Sequence, residues 1–174
     1  MKLTSTETRY GVVAIVLHWV IAILITLALV SGFAADRLGQ DGTGALRAHI
    51  VCGALAGVLT LVRILWWIIA DRKPDPVDTT TGPQARLAWL VHILLIVVPL
   101  GMLASGIGML VLTGTRAQIL SGTLTALPNF EAVAPRGPHG LGARLLIALI
   151  GVHVAAALYH HYVLGDRLIR RMTV

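Results

Sequence analysis

Four long apolar runs divide the chain, at about residues 10–34, 46–70, 87–112 and 140–164. Each exceeds the roughly 20 residues with which an α-helix crosses a hydrocarbon core. Lipid offers no partner to a free backbone amide, so runs of this length must be helical, whereas a β-barrel would need short alternating strands. The pattern predicts an all-α fold, an integral membrane four-helix bundle, formed by residues 1–174 as a single transmembrane domain. Pro99 falls inside the third run and predicts a kink there, which neighbouring helices accommodate. Residues 1–9 followed by the first run look like a signal peptide, with small residues at Ala34 and Ala35. The run is too long for an ordinary signal core, so it is expected to stay as an anchor.

The connections give the orientation. Lys2, Arg9, Arg72, Lys73, Arg86, Arg167, Arg170 and Arg171 gather on one side of the spans, against Arg37, Arg47, Arg116, Arg136 and Arg144 on the other. The richer side is expected in the cytoplasm, with both termini, which makes the protein a multi-pass membrane protein. The Pro/Thr-rich stretch "DRKPDPVDTTTGPQAR" is then an inner loop. Residues 113–138 form the longest outer connection, punctuated by Gly, Pro and Asn, with room for a short surface helix.

Composition sharpens this picture. The chain has 174 residues, 56% hydrophobic and 13% charged, with a mean hydropathy of +0.82. Spans and short connections leave no length for a soluble domain. The net charge of +6 comes without a basic run or interleaved aromatics, so it speaks for topology and lipid contact rather than nucleic acid. The single cysteine, Cys52, lies within a span and cannot form an internal disulfide.

Among the polar positions that remain in or beside the spans, the histidines stand out. His18, His49 and His92 lie in the first three runs; His139, His153, His160 and His161 lie at or within the fourth. Ionisable side chains at such depth are costly and mark function, although interhelical hydrogen bonding is the simpler role for any one of them. Fourteen residues separate His139 from His153, a rotation some 40° short of four turns and a rise of about 21 Å. One face thus carries imidazoles in both halves of the bilayer. A single zinc site would need its ligands at one depth. Haem iron needs only two protein ligands, because the macrocycle fills the other four positions, so paired histidines on different helices suit haem.

Depth suggests partners. His49, near the outer end of span two, matches His139 at the outer start of span four. His18 matches either His153 or His160 by depth; His153 is favoured, since otherwise it is an unsatisfied polar group near the bilayer centre. Gly53 and Gly57 share a face with His49 and permit close approach of a helix or of a porphyrin. Arg63, fourteen residues after His49, is placed for a haem propionate or for snorkelling to the inner surface.

The stretches "VLHWVIAILI", "RAHIVCGALAGVLTLVRI", "RLAWLVHILL" and "GVHVAAALYHHYVLGDRLIRRM" together resemble the bacterial four-helix cytochrome b561 proteins, including the superoxide oxidase type. The resemblance covers all four spans; its most specific part is H-x-A-A-A-L-x-H-H-Y. It implies two haem b groups, one between His18 and His153 and one between His49 and His139. It also implies oxidation of superoxide to oxygen at the outer face, with electrons crossing to ubiquinone. Pro99 follows His92 sooner than in that pattern, and the outer loop matches poorly.

The residues fit this activity without requiring it. Arg37, Arg47, Arg116, Arg136 and Arg144 would steer superoxide electrostatically, or pair with propionates and lipid phosphates. Reduction of ubiquinone consumes protons, so its site needs a titratable donor near the inner surface: His160 first, then His92, with Trp89 packing on the ring or serving an interfacial belt. There is no C-x-x-C-H, so haem attachment is non-covalent, and no G-x-G-x-x-G for a nicotinamide or flavin. Two rivals stand beside the superoxide:quinone oxidoreductase. One is a cytochrome b subunit carrying electrons between quinone and a partner dehydrogenase or hydrogenase; the other is a haemless transport or assembly factor.

Overall fold

The computed structural model describes residues 2–75 and 82–173. Its elements are α1 (Val12–Leu38), α2 (Thr43–Ile69), α3 (Gly82–Leu112), the short α4 (Arg116–Ser121) and α5 (Arg136–Tyr162). Three helical stretches are long and apolar enough to cross a membrane: Val12–Ile69, Gly82–Leu112 and Arg136–Tyr162. The first is a hairpin, in which a 3₁₀ turn, Gly39–Gly42, folds α2 back along α1. Gly39 has φ +54°, a conformation open to glycine and costly for other residues. Gly42 lets the chain pass so close to Ala35 that a β-carbon there would lie 2.6 Å from the Ala35 carbonyl oxygen.

The helices outrun the apolar segments that predict them. α3 starts at Gly82 rather than near 87, with Pro83 at its second residue, where a missing N–H costs nothing. α5 likewise starts at Arg136, with Pro138 in its first turn. α3 runs through the buried Pro99 without a break. Within residues 113–135, α4 is the short surface helix, followed by a 3₁₀ turn at Phe130–Ala132. The Pro/Thr-rich loop lies in part, at residues 76–81, outside the described residues.

α1 packs chiefly on α2 and α3 chiefly on α5, while α2 and α3 share a thinner seam. Ile15 is the only large side chain buried completely among the described residues. Large apolar residues point outward along every long helix; Val30 and Ile68 are 64% and 73% exposed. A water-soluble bundle would bury such residues, and a lipid-facing one has no reason to.

The two ends of the bundle differ. At the loop end, α4 and the segment after it cover the α1–α2 turn: Ile119 and Leu124 join Ala35 and Leu46 in a small core, with Phe130 packed against it. At the terminal end the N-terminal segment, the start of the α2–α3 connection and the C-terminus are tied together. Ser5 donates from its backbone N–H and its hydroxyl to Asp71 (2.8 Å each), and Trp66 adds its indole N–H at 3.1 Å. Arg171 donates to the carbonyls of Thr8, Asp75 and Glu7. The Trp19 indole reaches the Met172 carbonyl at 2.8 Å.

Candidate functional site

The seam between the α1–α2 hairpin and the α3–α5 pair gathers five histidines at two levels. At the loop end, His49 of α2 and His139 of α5 bring their ring centroids to 5.7 Å. Some 21 Å further along α5, His153 lies 6.2 Å from His18 of α1 and 5.2 Å from His92 of α3. His18 thus lies against His153, whereas His160 is turned to Asp166. His92, expected beside the quinone, belongs to the His153 cluster, with its Nδ1 2.6 Å from the Ala88 carbonyl oxygen in its own helix.

Two imidazole nitrogens on opposite sides of one iron, each about 2 Å away, put the ring centroids roughly 6 Å apart. Both pairs have that spacing. Among the described residues no three His, Cys, Asp or Glu side chains converge as they would on a bare metal ion; two ligands per centre suit a macrocycle that supplies the rest. Two further features fit a flat group at the loop end. The Nε2 atom of His139 is buried without a hydrogen-bond partner, and Gly53, one turn from His49, has nothing within 4 Å of where its β-carbon would stand. Gly57 serves helix contact instead, since a β-carbon there would meet Leu103 of α3 at 2.6 Å.

The rings of the loop-end pair are oriented by hydrogen bonds. His49 Nδ1 lies 2.7 Å from the Ala28 carbonyl oxygen, an approach open because residue 32 is glycine: a β-carbon there would stand 2.7 Å from the same nitrogen. His139 Nδ1 lies 2.9 Å from the Ser105 hydroxyl. At the terminal end no hydrogen bond reaches His18 or His153 from the described residues, and their neighbours are ring edges; Trp19 lies 5.4 Å from His18.

Arg63 sits over the Trp67 ring at 4.5 Å, which Lys73 also contacts at 4.4 Å, and the Arg63 Nε is buried without a partner. Burial and the neighbouring Arg63 charge both push the Lys73 ammonium below its usual value. His160 pairs with Asp166 at 2.6 Å, with only 14% and 9% of the side chains exposed. The His161 Nδ1 is buried without a partner. Trp89 is 65% exposed and makes no ring contact with His92 or His160.

The arginines at the loop end do not act alike. Arg136 is neutralised by Asp36 at 3.0 Å and Glu131 at 2.9 Å. Arg47 donates to the Gly122 carbonyl, bracing α4 against α2. Arg37, at the end of α1, and Arg116, at the start of α4, are exposed, and Arg144 lies exposed two turns into α5 from Arg136. Two interactions were not legible in the sequence. Ser105 is an ordinary small residue in an apolar span, and Asp71 reads there only as a charge beyond the end of one.

A family model described as prokaryotic cytochrome b561 matches residues 9–174. A cytochrome b562 from Cereibacter sphaeroides is 34% identical, with 97% of both chains covered. A probable superoxide oxidase, CybB, from Yersinia pestis is 32% identical over 94% of this chain and 95% of its own. The cytochrome b561 homolog 1 of Escherichia coli K12 is 28% identical over 94% and 96%.

Proposed function

Because the chain belongs to the prokaryotic cytochrome b561 family, and so is a membrane electron-transfer cytochrome of b type, we propose that it oxidises superoxide to oxygen at its loop end and reduces ubiquinone to ubiquinol at its terminal end. Two superoxide anions give two electrons; with two protons these convert one quinone to quinol. The loop end is assigned to the periplasm and the terminal end to the cytoplasm, with four crossings of the inner membrane, as the excess of Lys and Arg at the terminal end favours. The observation that carries this assignment is the stacking of two imidazole pairs, at ring spacings of 5.7 and 6.2 Å, at two depths of one bundle. His49 and His139 would hold one haem b, His18 and His153 a second, and Arg63 a propionate of the latter. Held by these residues, haem b would supply one-electron transfer.

The chain's own residues do the rest. Arg37 and Arg116, both exposed, raise the local concentration of the superoxide anion at the loop end. His160 holds the proton for the quinone, its ring oriented by the bond to Asp166. Membership of a cytochrome b family favours a haem-bearing protein over the haemless factor. The partner-dependent cytochrome subunit remains as an outcome of the decisive test, rapid mixing of the oxidised protein with superoxide. Haem reduction within the mixing experiment and quinol formation are expected. No reduction in the isolated chain would overturn the activity and leave the subunit role. His160→Ala should retain both haems and slow quinol formation at least about tenfold; unchanged turnover removes His160 from the quinone site.

A further inference from the structure

The hydrogen bonds around the loop-end pair fix where its protons are. The Ala28 carbonyl oxygen can only accept, so His49 carries its proton on Nδ1. Ser105 Oγ contacts two groups, the Met102 carbonyl oxygen at 3.0 Å and His139 Nδ1 at 2.9 Å. A hydroxyl has one hydrogen, and the carbonyl can take part only by receiving it. The oxygen therefore accepts from His139 Nδ1–H. That tautomer leaves the lone pair on Nε2, the atom that is buried without a partner.

We propose that Ser105, on a helix that supplies no ligand to this pair, is a positioning residue that holds His139 as an Nε2 donor and sets the midpoint potential of the loop-end haem. The proposal rests on the two-haem assignment above. An acceptor on Nδ1–H makes the ring a stronger donor, which favours ferric over ferrous iron and lowers the potential. Because its own hydrogen is committed to Met102, the hydroxyl is polarised toward accepting. Without it, the Nδ1–H is left with the Met102 carbonyl alone, the ring becomes a weaker donor and the potential rises. Among the described residues no equivalent bond reaches His18 or His153, so the effect belongs to one of the two groups.

The isosteric pair Ser105→Thr and Ser105→Val isolates the hydroxyl in the full-length holoprotein. Potentiometric titration followed at the haem α band is the readout, with haem content by pyridine haemochrome. Ser105→Thr should keep two haems and both midpoints. Ser105→Val should raise one midpoint by about 59 mV, a tenfold shift in the reduced-to-oxidised ratio of a one-electron couple, and leave the other in place. Loss of one haem in Ser105→Val alone would also support the role. Identical titrations of the two variants, movement of both midpoints together, or equal haem loss in both would overturn it. A wild-type protein with fewer than two haems would instead overturn the two-haem assignment.

Discussion

The loop-end and terminal-end histidine pairs share α5 and draw their second member from α2 and α1 respectively, and they are held by different means. His49 and His139 are oriented through their Nδ1 atoms by a backbone carbonyl and a hydroxyl inside the helices. His18 and His153 are flanked by the rings of Trp19 and His92, and their end of the bundle is tied by segments outside the helices, through Asp71, Arg171 and the Trp19 bond to Met172. Hydrogen-bonded ligands are fixed in direction and tautomer before any cofactor arrives. Ring-packed ligands are fixed in position but can turn.

The contrast breaks most sharply when a ligand is removed. His153→Ala should cost one haem of two and leave the spectrum of the His49–His139 centre intact, by pyridine haemochrome and the α band. Loss of both haems, or of neither, would show that the levels are not separate. A subtler break targets orientation alone. Gly32→Ala places a methyl group 2.7 Å from His49 Nδ1, so the ring must leave Ala28. Occupancy or potential of the loop-end centre should change while the other stays constant, and unaltered values for both would mean that the carbonyl bond does not matter.

The smallest effect is expected at the terminal clamp. Burial by itself raises the Asp71 carboxyl pKa, but the hydrogen bonds from the Ser5 backbone and hydroxyl, the Trp66 indole and the Arg72 backbone outweigh it and hold the group below its ordinary value. A carboxyl depressed in the folded state stabilises above its unfolded pKa, about 3.9, and that contribution is lost as pH falls through the lower folded value. Asp71→Asn should therefore cost about 2 kcal/mol at neutral pH, seen as a lower Tm, with the difference from wild type shrinking below about pH 4. A difference that does not depend on pH would place the effect in packing rather than in the carboxylate.

Much of this was legible along the chain. Run lengths gave the long helices, because backbone amides in lipid leave no alternative. The fourteen-residue interval between His139 and His153 gave two levels on one face, because helical rise and rotation are fixed. Helix ends were less legible, since Pro83 and Pro138 sit inside first turns rather than before them. His92 was assigned by depth, and depth does not say which way a side chain points.

Sequence alone determined that this chain must be helical, apolar and rich in imidazole at two depths, for these are matters of composition and period. Only the tertiary structure decided which imidazoles meet, that Arg136 pairs with Asp36 and Glu131, and that Ser105 touches His139. Such contacts depend on the rotation and approach of whole helices, and no local pattern encodes those.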